Sequence, residues 1–305
     1  MTATGSIEAR KILMDEAVWV EDLHKEFPGP VKALTGVSLR VLQGESVAIV
    51  GPNGSGKTTL FKSIVGLIEP TCGQVRLLGR PLVGTGRRGL ERTGLLLEGR
   101  ANLYERLSIQ ENCEYACRLR GKRMDRGYVQ ALAVQLGLHA LQRAVRRLST
   151  GNRQRASLLC ALAHRPDLIM LDEPTLGLDV ESTQALQSVL KEEQARGASV
   201  ITISHDAGFV AATAERVVGM EAGRCAFERA GTLASTAVER HRLTVQAIHP
   251  LPASVLAALS RTGTFAAQLS QLQALARIYP DLCHASITSV DVVAEATAPH
   301  TRDLP

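Results

Sequence analysis

No run of apolar residues in this chain reaches the roughly 18 that a membrane-spanning helix needs; the apolar stretches at 46–50 and 199–203 are strand-sized. Aromatic residues are scarce, with one Trp, four Tyr and five Phe among 305 residues. That scarcity argues against a surface built to stack nucleic-acid bases, and no nucleic-acid partner is expected. Six cysteines (Cys72, Cys113, Cys117, Cys160, Cys225 and Cys283) are scattered, and only Cys113 and Cys117 fall at helical spacing. Without further ligands nearby they do not read as a metal site, and reduced thiols in a cytosolic protein are expected. The first 16 residues mix Thr, Gly, Glu, Arg and Lys and lack the apolar core of a signal peptide. The expectation is a soluble cytoplasmic chain that reaches a membrane only through a partner.

Charge is present in modest excess, +5 overall with an isoelectric point near 9.0. It is concentrated in the middle of the chain, at Arg118, Arg120, Lys122, Arg123 and Arg126 and again at Arg143, Arg146, Arg147, Arg153 and Arg155. Such clusters are either a solvated helical face or a surface facing anionic headgroups or an acidic partner loop.

The pattern along the chain alternates strand and helix. Residues 17–23 and 33–42 read as strands separated by Pro28-Gly29-Pro30. Residues 46–50 form a continuous apolar run, as a strand buried on both faces requires, followed by a Gly-rich turn and a helix at 58–67. A strand is expected at 74–78 and a turn-rich stretch at 79–89. Apolar residues then recur at helical spacing from 108 to 163. Strands at 168–171 and 200–203 flank a helix at 180–196 that ends on Gly197. This order predicts an α/β fold, a mostly parallel core sheet with an antiparallel β subdomain and an inserted helical subdomain at about 100–165. The divisions are an N-terminal extension at 1–16, a main domain at 17–231 and a small C-terminal extension at 232–305. The last is read as helices at 252–259 and 266–276, a strand at 242–248 and a polar end.

Two motifs carry chemistry. Gly51-Pro52-Asn53-Gly54-Ser55-Gly56-Lys57-Thr58, followed by Thr59, fits a phosphate-binding loop in full and sits where its mechanism needs it, between an apolar strand and a helix. The glycines let successive amides turn towards one anion, Lys57 adds a point charge, Thr58 offers a hydroxyl to magnesium, and the helix presents its positive end. Leu168-Ile169-Met170-Leu171 ends in Asp172 and Glu173, placing two carboxylates at a strand's C-terminal end. Asp172 is expected to hold magnesium, usually through water, and Glu173 to polarise the attacking water.

The order of these motifs with Leu148-Ser149-Thr150-Gly151-Asn152-Arg153-Gln154-Arg155 between them, then Leu176-Gly177-Leu178-Asp179 and Ser204-His205, resembles the ATP-binding subunit of ABC transporters. The resemblance spans residues 18–224 and implies a P-loop NTPase that binds ATP and Mg2+. It implies that Ser149, Gly151 and Asn152 start a helix facing the γ-phosphate of ATP held by a second copy. The other reading of Ser149, a helix N-cap, has the same local geometry. Asp179 is implied at the subunit contact, His205 as the residue reaching the γ-phosphate, and Phe27 as the aromatic stacking on adenine, the alternative being an ordinary core Phe.

Two departures stand out. The family usually has Leu-Ser-Gly-Gly-Gln where this chain has Leu-Ser-Thr-Gly-Asn. Its Gln ahead of the helical insert, which touches magnesium, is replaced by Gly99 on a gapless count or by Glu98 with a one-residue insertion. The text Leu97-Glu98-Gly99-Arg100-Ala101-Asn102-Leu103-Tyr104 resembles bacterial exporters of drugs, lipids or polysaccharides. The resemblance therefore implies the motor of an exporter, working as a homodimer with a separately encoded permease at the cytoplasmic face of the membrane. Rival readings are a soluble ATPase of this type acting on ribosomes or DNA, and a regulatory nucleotide binder of low turnover. Members acting on ribosomes generally carry two cassettes and those acting on DNA long coiled coils, neither of which this chain has.

Overall fold

A computed structural model describes residues 16–29, 31–82, 89–98, 103–230, 240–246 and 286–293. The chain divides into two compact units, Met1–Thr232 and Leu233–Pro305.

In the first unit, β1 (Glu16–Glu26), β2 (Lys32–Leu42), β4 (Cys72–Leu77) and β5 (Arg80–Pro81) form an antiparallel sheet in the order β2-β1-β4-β5. Between β2 and β4 the chain runs through β3 (Ser46–Val50) and helix α1 (Lys57–Ile64). A second sheet has six strands in the order β10-β9-β3-β8-β7-β6, from β6 (Thr93–Leu96), β7 (Leu168–Asp172), β8 (Ser199–Ile203), β9 (Arg216–Glu221) and β10 (Arg224–Ala230). Only the β9–β10 pair in it is antiparallel.

The predominantly apolar text of β3, β7 and β8 is explained by burial on both faces. Ile169, Leu171 and Val200 point into a core shared with the helical insert, while Leu168, Met170, Ile201 and Ile203 point into a second core with α1 and the antiparallel sheet. Each such side chain contributes about 1.5–3 kcal/mol by leaving water. The insert holds α2 (Ile109–Leu119), α3 (Arg126–Gln135) and α4 (Thr150–Leu162). Ser108 caps α2 in a reciprocal capping box with Glu111, and Asp125 caps α3. The buried Cys113 and Cys160 sulfurs lie 3.3 Å apart where α2 meets α4. All five described cysteines are free thiols, as expected; Cys283 lies outside the described residues. Helix α5 (Val180–Ala195) and the short α6 (Ala207–Thr213) complete this unit.

Several elements differ from the sequence expectation. β6, α6 and the β9–β10 hairpin were not anticipated, and the helical stretch is three helices joined by turns. In the second unit β11 (Arg240–Gln246) pairs antiparallel with β12 (Ser286–Val293), placing a strand where only a polar end was expected. The helices expected at 252–259 and 266–276 lie outside the described residues.

Candidate functional site

Parallel pairing fixes the site. Ile49 pairs with Ile203, and Ile203 with Asp172, so the C-terminal ends of β3, β8 and β7 finish in one row. The next residues, Gly51–Gly56, Ser204-His205 and Glu173, therefore emerge side by side, at the edge where open α/β sheets bind ligands.

The loop after β3 turns on glycines that cannot be replaced. Gly51 has φ 146°, and a Cβ there would run into the Met220 carbonyl oxygen. Gly56, with φ 100°, is the N-cap of α1, and its Cβ would lie 2.5 Å from the Ala33 carbonyl oxygen. The first turn of α1 is thereby presented with its amides towards the loop. Lys57 is buried, and its ammonium group donates to the Gly51 and Pro52 carbonyls at 2.8 and 2.9 Å.

A cavity of about 490 Å³ opens over this row. Asn53, Gly54, Gly56, Lys57, Thr58, Thr59, Glu98, Asp172, Glu173 and His205 all line it. Val31, Lys32, Ala33, Leu176 and Ile203 line it as well, and sequence reasoning had assigned none of these to the site. Pro28-Gly29-Pro30 was the available signal, since the turn it marks brings the start of β2 over the loop.

Asp172 is 1% exposed, and neither carboxylate oxygen is in a well-formed hydrogen bond among the described residues. Burial, then the Glu98 and Glu173 carboxylates, pushes its pKa up from 3.8 to about 6. The Glu98 backbone and Lys62 offset this only in part, and a buried, under-bonded anion is the environment a cation would relieve. Among the described residues no three His, Cys, Asp or Glu side chains are placed to hold a metal unaided. Magnesium does not require such a cage, because it keeps waters and phosphate oxygens and takes one or two protein carboxylates. Asp172 and Thr58, which line one cavity, supply groups of the kind that requirement asks for, and Glu98 lines it too. Gly99, the other reading of that position, lies outside the described residues.

Glu173 sits in the left-handed region at φ 48°, a conformation that costs a non-glycine residue about 1–3 kcal/mol. Its amide donates to the Ile203 carbonyl at 2.9 Å, which holds the turn in place. Burial raises the Glu173 pKa, and His205 pulls the other way. The His205 Nε2 atom lies 3.4 Å from Glu173 Oε1, so the structure brings these two together.

Ser149, Gly151, Asn152 and Asp179 are placed elsewhere. Ser149 is the N-cap of α4, and its Oγ accepts from the Asn152 amide at 3.3 Å. Gln154 Nε2 donates to the Pro174 carbonyl at 3.1 Å, and a Cβ on Gly151 would lie 3.1 Å from the Gly177 carbonyl oxygen. The start of α4 thus packs against the 174–179 turn, where Asp179 caps α5 by accepting from the Ser182 amide at 2.8 Å. The Ser182 hydroxyl, and then this amide, hold the Asp179 carboxyl below its ordinary pKa. Leu176, within this turn, and Val180, just after it, are 61% and 76% exposed. None of Ser149, Gly151, Asn152 and Asp179 lines the phosphate-loop cavity. Phe27 does not line it either; it is 38% exposed beside Lys25, which rules out the core reading of that residue. Ser55 Oγ is buried and has no hydrogen-bond partner among the described residues.

Among the described residues no helix is long and apolar enough to cross a membrane. The family model described as ABC transporter matches residues 34–176. The cobalt import ATP-binding protein CbiO of Rhodobacter capsulatus is 36% identical over 79% of this chain and 87% of its own length. The ABC transporter ATP-binding protein NatA of Bacillus subtilis is 32% identical over 66% of this chain and 82% of its own length. Among solved structures, an ATP-binding cassette whose dimer is in a post-hydrolysis state bound to ADP and Pi superposes with a TM-score of 0.60. It is 25% identical, covering 70% of this chain and 98% of that one. With its phosphate loop and paired carboxylates in one row at the sheet's edge, the chain belongs to the ABC transporter family, as one of its ATP-binding ATPase subunits.

Proposed function

We propose that two copies of this chain close around two ATP molecules and that hydrolysis drives a separately encoded permease. One observation carries the dimer. The cavity holding Lys57, Thr58, Asp172 and Glu173 takes no residue from the Ser149–Asn152 turn of its own chain, which faces outward beside exposed Leu176 and Val180. A second copy turned head to tail would lay that turn over the cavity. The amides at the start of α4 and the Ser149 hydroxyl would then meet the γ-phosphate.

Within one site the loop amides and Lys57 bind and orient the phosphates. Thr58 and Asp172 would hold magnesium, with Glu98 lining the same cavity, and a bound ion would neutralise phosphate charge there. Glu173 takes the proton of the attacking water, with His205 orienting it and contacting the γ-phosphoryl group. Phe27 is left as an exposed aromatic from which an adenine ring can be approached. Lys57→Ala is expected to weaken ATP binding at least about tenfold, as loss of a charge-assisted contact does, with a nucleotide titration as the measurement.

The permease contact is supported by a groove of about 180 Å³ between β6 and α2, lined by Leu95, Leu103, Tyr115, Leu119 and Arg120. Leu119, 66% exposed, and Tyr115, 38% exposed, line it together, and a contiguous apolar surface of this kind is what a partner covers. Through such a contact the chain would be held at the cytoplasmic face of the membrane. Co-purification from membranes with a polytopic subunit tests this, and Leu119→Asp is expected to abolish that co-purification while leaving ATP binding intact. Persistence of the complex in that variant would remove the groove from the proposal.

The Leu97–Tyr104 text supports export as the direction; residues 99–102 of it lie outside the described residues. Uptake is the second reading, favoured by the printed import role of the cobalt relative. Transport assayed in oriented vesicles separates the two.

A further inference from the structure

The helical insert carries a second concave site, remote in its lining from the phosphate loop. A cavity of about 510 Å³ is walled by Glu114, Arg118, Lys122, Arg123, Met124 and Arg126. Four cationic groups face one carboxylate, and that carboxylate is already taken: Arg118 holds Glu114 at 2.6 Å along α2. Arg123 and Arg126, both exposed, have no hydrogen-bond or ion-pair partner among the described residues. Lys122 is anchored, its ammonium group donating to the His164 carbonyl at 3.1 Å.

A solvated basic face spreads its charges over a convex surface, where water and salt screen them. Here like charges converge on one hollow, which costs the folded chain self-repulsion and focuses a positive potential into the space between them. His164, whose carbonyl anchors Lys122, is buried, and burial first, then Arg120 and Lys122, holds its pKa down to about 3. Nothing in the hydrolysis site uses these groups.

We propose that this hollow binds a phosphoryl oxyanion, carried either by a soluble phosphate compound or by an anionic lipid headgroup. Three of the four cations are arginines, whose planar forks match phosphate oxygens two at a time, and Met124 gives the floor an apolar patch for what the phosphate is attached to. A concave hollow of this size suits a compact anion better than an extended acidic peptide. Lys122 ties the wall to the carbonyl just past the C-terminal end of α4, the helix whose other end begins at Ser149.

The test uses the full chain carrying Lys57→Ala, so that the phosphate loop contributes little. Inorganic pyrophosphate is titrated in by calorimetry. In parallel, the chain is sedimented with vesicles of phosphatidylglycerol and phosphatidylcholine, and with phosphatidylcholine alone. Both measurements are repeated after Arg123→Glu with Arg126→Glu, and after a charge-matched control, Arg80→Glu with Arg224→Glu, at exposed positions outside both basic clusters. At least one probe is expected to bind and to weaken at least about tenfold in the Arg123/Arg126 variant, and less than about twofold in the control. Pyrophosphate binding identifies a soluble ligand, and binding to anionic vesicles alone identifies a lipid headgroup. If neither probe binds, if the Arg123/Arg126 variant binds as before, or if the control loses as much, the site does not exist.

Discussion

Hydrolysis by the Glu173→Gln chain is expected to fall at least about 100-fold while ATP still binds, so that ATP-loaded copies accumulate as dimers. The amide keeps the shape of the carboxylate and removes its ability to take a proton. Three observations converge on Glu173: it is partly buried with a raised pKa, it faces His205 at 3.4 Å, and its backbone is held at φ 48° by the Ile203 carbonyl. A raised carboxyl pKa brings the group nearer neutrality, where a base is most effective. It also means that the unaltered chain loses activity as pH falls through that raised value, whereas the residual rate of the Gln variant does not follow the same curve. Sizing with and without MgATP, alongside phosphate release, reads both halves of the expectation. A Glu173→Gln chain that stays monomeric with MgATP would sink the two-copy arrangement even if hydrolysis were lost.

Asp172→Asn is expected to do two opposite things. It should lower magnesium-dependent hydrolysis about 10–100-fold, the effect of removing a group that positions a metal through its water shell. It should also raise the melting temperature by roughly 2–4 °C at pH 8 in the absence of nucleotide, the change that about 1 kcal/mol gives a domain of this size. The second effect follows from linkage. Asp172 has its folded pKa raised from 3.8 to about 6, so the folded chain holds this proton more tightly than the unfolded chain does. Below 3.8 both states are protonated and the group costs least. As pH rises through about 6 the folded state must carry a buried, under-bonded anion, and stability is lost. The Asn variant has no such loss, so its advantage should shrink towards pH 4 and vanish when MgATP supplies a counter-charge. Melts at pH 4, 6 and 8 settle the matter, and an advantage independent of pH would point to packing instead.

The phosphate loop and the carboxylate strand were legible because their sequence patterns are also physical necessities. The strand at Ser46–Val50 has the bounds read from its apolar run, and Leu168–Asp172 differs by one residue, since burial on both faces favours apolar residues at most positions. β6 was not legible. It has four residues, includes Gly94, and owes its place to a close approach in which a Cβ on Gly94 would lie 2.5 Å from the Ala161 carbonyl oxygen. Nothing local announces a contact made by a helix more than 60 positions away. The β9–β10 hairpin could have been found, because Ala222-Gly223 is a tight turn with both residues at positive φ. At the site, Asn53, Lys57, Asp172, Glu173 and His205, singled out from motifs far apart in the chain, line one cavity, as does Glu98, one of the two readings of its position. Phe27 was not brought to it, because the residues of that segment that reach the cavity are Val31, Lys32 and Ala33.

The alignment of Ile49, Ile203 and Asp172 across three neighbouring strands has a consequence for how such a chain can change over time. The spacing between the anion cradle, the imidazole and the water-activating carboxylate is ruled by backbone ladders and not by the connecting segments. Inserting or deleting one residue within β3, β7 or β8 would turn the following side chain to the opposite face and empty its place at the edge. Length variation is therefore confined to the turns, and the distance between these three groups is inherited as a single unit.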